Sequence, residues 1–344
     1  MRLYAIDNNS HSVMREPLRP SYRLARLCLL AILLAPGLSA QAAPRDRLVL
    51  AGPTAAVSFP LIHMVETGAL SGWADKVEFR HWKNPDQLRV LLAKQEADFS
   101  ATPVNLPAIM ANRGMPVRLL NVSVWGLLWF VSTDPDVRSI ADLAGKPLLT
   151  TFQRDLPALL LERLLDAQGL AGERAPRIRH ARDAQDAIAL LLTGEANSAL
   201  LPEPSVSLLL AQNARRGGTA PHRVQSLEAA WRETFPEHPD LPQAGIMANA
   251  GVAGDRALGE AVAREYDRSA RWCKAEPAEC ARLAHKHLDF LPAEAIEASI
   301  RVTRLESRDA LAVRPALEAL YGLILRHNPE AVGGRLPDAG FYGP

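Results

Sequence analysis

The sequence predicts an α/β fold built on a mainly parallel sheet with helices on its faces. Three observations carry this. Short apolar runs of strand length alternate with amphipathic segments of helical period along most of the chain. The composition (48% hydrophobic, 22% charged, 6% aromatic) is that of a globular protein, which excludes disordered, collagen-like and coiled-coil classes. The 344 residues suffice for two ordinary domains or one large one, and no fixed-period repeat divides them otherwise.

The first segment stands apart from this pattern. Arg19, Arg23 and Arg26 precede an apolar run over 27–35, Pro36-Gly37 breaks it, and small residues follow from Ser39 to Ala43. That order is the order of a secretory signal peptide. The run is too short to span a bilayer, which takes about 20 apolar residues. Ala40-Gln41-Ala42 places cleavage near Ala42, so 1–42 is assigned as the signal peptide; the alternative is an uncleaved anchor. The long basic lead leaves Met1 or Met14 as the start, and Cys28 precedes most of the apolar run, unlike a lipidation site. Formal charge is +1 for the whole chain and −2 once 1–42 is removed, which argues against a broad nucleic-acid footprint. The expectation is an exported, periplasmic protein.

The remaining elements follow in order. Residues 48–51 form a strand, 52–58 a turn and 59–67 a helix. Alternation over 77–82 predicts a second strand; Pro85 opens a helix whose Leu88, Leu91 and Leu92 keep helical spacing. A third strand covers 97–101, and Thr102 to Asn105 turn into a helix reaching about Arg113. Residues 117–124 and 127–132 read as one extended crossing, interrupted at Trp125-Gly126. Strands then fall at 148–150, 177–180 and 198–201, alternating with helices at 156–167, 184–192 and 206–211. Residues 214–221 read as loop, 224–227 as a strand, 235–242 as non-helical and 245–248 as a last strand. From Asp255 to His327 the chain reads as almost wholly helical.

Ligands of open α/β sheets sit beyond the carboxyl ends of the strands. Four turns there are polar, around Thr54, Thr102, Thr151 and Glu203, and each opens a helix whose free N–H groups attract acceptors and anions. No G-x-S-x-G, H-E-x-x-H or G-x-G-x-x-G motif is present, and Gly145-Lys146-Pro147 lacks the rest of a phosphate loop. His285 and His287 lie two residues apart on a charged helix, which is a solvated face rather than a metal pair. No catalytic residue, cofactor or metal is expected. After processing only Cys273 and Cys280 remain; an even pair in an oxidising compartment, flanking a helix-breaking Pro277, is a disulfide candidate, with two buried thiols or a metal pair short of neighbouring ligands as the alternatives.

Ser139-Ile140-Ala141-Asp142-Leu143-Ala144-Gly145-Lys146 resembles the "DLkGK" segment that opens the second lobe of ABC-transporter periplasmic substrate-binding proteins. The subgroup is that of the nitrate, sulfonate, taurine and bicarbonate importers, with the thiamin-pyrimidine-precursor binders. Leu200-Leu201-Pro202-Glu203-Pro204 is similar to the family's strand-end "EP" turn. Trp272, Pro277 and the helix after them resemble its C-terminal helical segment, and Gly333 to Tyr342 resembles its tail. The resemblance spans nearly the whole mature chain. It implies a periplasmic-binding-protein type II fold of two lobes, 44–125 plus 246–344 and 126–245, joined by crossings near 124–133 and 241–248. It also implies a ligand cleft between them, a solute as cargo and an inner-membrane ABC permease as partner. A monomer is expected.

The ligand-binding candidates are Thr54, Ser58, Phe59, Thr102, Asn105, Trp125, Thr151, Phe152, Gln153, Arg154 and Glu203. Most have a plainer reading: Thr54, Ser58, Thr102 and Asn105 as helix caps, Phe59 as core, Trp125 as hinge packing, Glu203 as cap of its own helix. Arg154 is the one cation placed to meet an anion, against pairing with Asp155, and leans the expectation toward an organic monoanion. The leading reading is a receptor for an importer. The alternatives are a sensor presenting its ligand to a membrane receptor kinase and a thiamin-pyrimidine-synthase-like enzyme. The last departs from its relatives' cysteine-rich motif, since this chain keeps only two cysteines.

Overall fold

A computed structural model describes residues 44–217 and 220–344. The signal peptide assigned to 1–42, the choice between Met1 and Met14, and Cys28 lie outside the described residues.

The chain builds β1 (Arg45–Gly52), α1 (Phe59–Glu66), β2 (Ala74–His81), α2 (Pro85–Ala93), β3 (Phe99–Pro103), α3 (Asn105–Asn112) and β4 (Arg118–Gly126). It continues through β5 (Leu128–Ser132), β6 (Pro147–Thr150), α4 (Leu156–Ala167), β7 (Arg177–His180), α5 (Ala184–Leu192), β8 (Ser198–Pro202), α6 (Ser205–Arg216), β9 (His222–Ser226) and α7 (Leu227–Thr234). The last part is β10 (Ala244–Ala248), α8 (Arg256–Ala275), α9 (Pro277–His287), α10 (Ala293–Val302), β11 (Arg304–Asp309) and α11 (Arg314–His327).

Two sheets result, in the orders β11-β4-β10-β3-β1-β2 and β7-β6-β8-β5-β9. In each, a first strand lies between its two parallel successors: β1 pairs β2 and β3, and β6 pairs β7 and β8. An antiparallel strand comes next, β10 in one sheet and β5 in the other. The residues dictate this locally. Positions 48–52 of β1 are buried on both faces, as a central strand of a covered sheet must be. Side-chain acceptors start the helices: Asn84 takes the N–H of Gln87, Asp183 that of Asp186, and Ser226 that of Ala229.

Four expectations change. The break in the crossing falls at Leu127 rather than at Trp125-Gly126, and it separates two sheets, β4 belonging to the first and β5 to the second. Helix α6 runs on through Arg215 and Arg216, where the sequence reads as loop; cations in a last turn complement the helix dipole. Helix α7 was not foreseen; its Ser226 cap and buried Leu227, Ala230 and Trp231 define it. The stretch read as helical to His327 contains β11, an edge strand on β4 whose only buried residue is Leu305. Charged side chains protect such an edge, and the same charges mimic a solvated helix face in the sequence.

Cys273 near the end of α8 and Cys280 in α9 form a disulfide, with Pro277 starting α9 between them. The two sheets meet outside their core as well. Helix α10 packs on α6. Arg304 of β11 reaches Glu228 of α7 at 2.7 Å and Asp240 at 3.2 Å, and Arg308 reaches Asp240 at 3.1 Å.

Candidate ligand cleft

The carboxyl ends of the parallel strands of both sheets open on one cavity of about 890 Å³. The first sheet contributes the β1–α1 turn with Pro53, Thr54 and Ala55, the end of β2 with His81 and Trp82, and the end of β3 with Thr102 and Pro103. The second contributes Thr151, Phe152, Asp155 and Leu156 from the β6–α4 turn, and Pro202, Pro204, Ser205 and Leu208 around the start of α6. Leu127 and Gln243 line it where the chain passes between the sheets, and Phe290 and Leu291 close one side.

Thr54, Thr102, Thr151 and Phe152 are therefore brought to one cavity, together with both prolines flanking Glu203. The other candidates do not line this cavity. Phe59 and Ser58 are fully buried, and Ser58 Oγ donates to the Pro53 carbonyl at 2.6 Å, closing the turn. Trp125 is buried at the β4 end, donates Nε1 to the Glu306 carbonyl at 2.8 Å and lies under the Arg304 and Arg308 guanidinium groups. Glu203 has no exposed surface; its carboxylate accepts from the Ser207 N–H at 3.1 Å and from the Arg223 guanidinium. It caps its own helix. Gln153 is exposed and does not line the cavity. Asn105 and Arg154 line a different groove of about 460 Å³, together with Arg89 and Arg113. The cation expected to meet an anionic ligand thus faces another part of the surface.

The cleft's electrostatics follow from its walls, which are mostly apolar. Lys83 and Arg182 are at its exposed edge, and Arg182 is bound to Asp186 at 2.7 Å. His81 Nε2 and Thr54 Oγ1 are 2.8 Å apart, and burial, helped by Lys83, pushes the imidazole pKa below its ordinary value. Burial also pushes the Asp155 carboxyl up, against the weaker opposing hydrogen bond from Ala158 N–H. Gln243 is 4% exposed; its Oε1 accepts from the Leu127 N–H at 3.2 Å, while Nε2 has no partner among the described residues. The Trp82 indole N–H is likewise buried without a partner there. Among the described residues no cluster of His, Cys, Asp and Glu fit for a metal occurs.

His81, Trp82, Asp155 and Gln243 are the polar groups that sequence reasoning missed. A signal existed for Gln243: in Leu241-Pro242-Gln243-Ala244-Gly245 it is the lone polar side chain entering an otherwise apolar crossing. For His81 and Trp82 the strand alternation hid their position at the strand's carboxyl end.

No protein-family model matches the chain, and no curated protein matches it. Solved structures do. An ABC transporter from Parabacteroides distasonis is 23% identical at a TM-score of 0.72, over 87% of this chain and 99% of that one. The periplasmic aliphatic sulphonate binding protein SsuA from Escherichia coli is 16% identical at 0.63, over 85% and 91%. The periplasmic nitrate-binding protein NrtA from Synechocystis PCC 6803 is 14% identical at 0.60, over 84% of each chain. The fold is that of periplasmic binding proteins: two mainly parallel sheets flanked by helices, as the sequence resemblance implied.

Proposed function

We propose that this protein is an exported solute receptor that holds a small organic ligand between two lobes and delivers it to an ABC importer of the inner membrane. The observation that carries the reading is the single cavity lined by strand-end turns of both sheets. The lobes on this reading are 44–125 plus 246–344 and 126–245; the change of sheet between Gly126 and Leu128 supports that division. The fold shared with the sulphonate- and nitrate-binding proteins supports the role, a periplasmic location and a permease partner. The protein acts as a monomer and is not an enzyme: binding and release suffice.

The mechanism needs one inequality. A ligand that touches both lobes binds the closed form more tightly than the open one, and that difference drives closure. Moving the equilibrium from 1:99 to 99:1 takes about 5.5 kcal/mol of preference. Apolar walls supply it at about 25 cal/mol per Å² removed from water, so some 220 Å² of ligand surface covered only on closure is enough. Thr54 and Thr151 orient the guest, while Thr102 is fully buried and donates its hydroxyl to the Pro103 carbonyl. With Arg154 on another surface, an anionic ligand loses the cation that favoured it.

Native mass spectrometry of freshly purified protein tests the role. The expected result is a co-purified solute, lost on denaturation, that raises the melting temperature when added back. A protein without adduct, unmoved by sulfonates, carboxylates, nitrate and pyrimidines, would count against a receptor.

A further inference from the structure

Resting on the receptor reading, we propose that the cleft selects an uncharged, largely apolar organic solute bearing a hydrogen-bond acceptor for the Gln243 amide N–H, and rejects small inorganic and sulfonate anions. Three observations carry this. The first is charge. The helix-opening turns offer N–H donors to an acceptor of either charge, so what separates an anion from a neutral guest here is whether a buried cation stands beside it. The cations on this cavity are Lys83 and Arg182, both exposed, and the second is occupied by Asp186. Asp155 and Asp183 stand on the same walls and repel an anion.

The second is the polar inventory. Gln243 is anchored by its own carbonyl, which accepts from Leu127 N–H, so the amide orientation is fixed and its NH2 group is the end left over. It is 4% exposed. A buried donor without a partner is destabilising, and a ligand carbonyl, ether or ring nitrogen relieves that cost. Trp82, 5% exposed, also lines the cavity, and its buried indole N–H is a second donor without a partner among the described residues. Both are donors, so the complementary group is an acceptor. The third is size. A cavity of about 890 Å³ is that of a drug-sized organic molecule, far larger than nitrate. Phe152, Trp82 and Phe290 give it aromatic faces.

The test uses a matched pair of fluorescent probes: 6-propionyl-2-(dimethylamino)naphthalene, a neutral aromatic ketone, and 6-(dimethylamino)naphthalene-2-carboxylate, its anionic counterpart. Nitrate and an alkanesulfonate are added as competitors. The ketone is expected to bind at least about ten-fold more tightly than the carboxylate, with neither anion displacing it. Gln243→Glu at pH 8 keeps the acceptor for Leu127 N–H and removes the donor; Gln243→Met removes both. Each is expected to weaken the ketone by about ten-fold and to shift its emission to the blue, as the carbonyl loses its hydrogen bond. Circular dichroism checks that each variant is folded. Tighter binding of the carboxylate, nitrate or the sulfonate overturns the inference and leaves a receptor of anions. Ketone binding indifferent to both substitutions overturns it, as does failure of all four probes to bind up to about 1 mM. In each case the receptor reading is judged separately, by the co-purified solute.

Discussion

Glu203 is the polar residue whose loss the fold should feel most. Its side chain has no exposed surface, and three donors converge on it: the Ser207 N–H at 3.1 Å, Arg223 Nε at 3.1 Å and Arg223 Nη2 at 2.5 Å. Arg223 also donates to Ser207 Oγ at 2.9 Å and lies over the Trp129 ring. Glu203→Gln preserves the shape but turns an NH2 group toward one of these donors. Breaking a buried pair from one side costs about 3–5 kcal/mol. The Arg223 side chain is 21% exposed and keeps some water, so the lower end, about 3 kcal/mol, is the expected loss. Urea denaturation followed by tryptophan fluorescence measures it. Arg223→Met alone should cost a similar amount, and the pair Glu203→Leu with Arg223→Met should recover most of the loss, because no charge is then left buried. A single-variant loss below about 1 kcal/mol, or strict additivity in the double variant, would refute the reasoning.

Gly245→Ala places a Cβ 1.9 Å from the Asn121 carbonyl oxygen, which is backbone and cannot swing away. The β10–β4 pairing must part, and a loss of about 3 kcal/mol in the same denaturation assay is expected. Replacing Cys273 and Cys280 by alanine opens a short loop between α8 and α9, for an expected cost of about 2.5 kcal/mol; alkylation of the unreduced parent, expressed without residues 1–42 and so without Cys28, should add no mass. Burial raises the Asp155 pKa, so its stabilising contribution is full below its ordinary value and lost as pH rises through the elevated one. Asp155→Asn keeps the cap and abolishes that loss: the variant should match or exceed the parent's melting temperature at pH 7, with the gain fading toward about pH 4.

Strand and helix succession was legible because it rests on local period and on caps that sit next to the helices they start. Helices α4 and α5 and strand β7 have the bounds read from the sequence. The cleft was legible in outline, since strand-end turns must gather where parallel strands end. What sequence could not supply was the direction of individual side chains. Arg154 and Thr151 are three residues apart in one turn, yet they line different cavities. Glu203 points into the protein because Arg223, on a strand some twenty residues away, is there to receive it. Strand β11 was hidden for a related reason: its pairing partner β4 lies far back in the chain, and charge alone marks it as solvated.

The strand orders carry a consequence for biosynthesis. Strands β5 to β9 are consecutive in the chain, so that sheet can assemble as soon as it is made. The other sheet lacks its antiparallel strand, β10, until residues 244–248 appear, because β10 separates β3 from β4. Until then β3 and β4 each present an unpaired edge, the kind of surface on which nascent chains stick to one another. A chain of this design profits from being kept extended until its tail has been released, which is the condition a polypeptide meets when it crosses a membrane before folding.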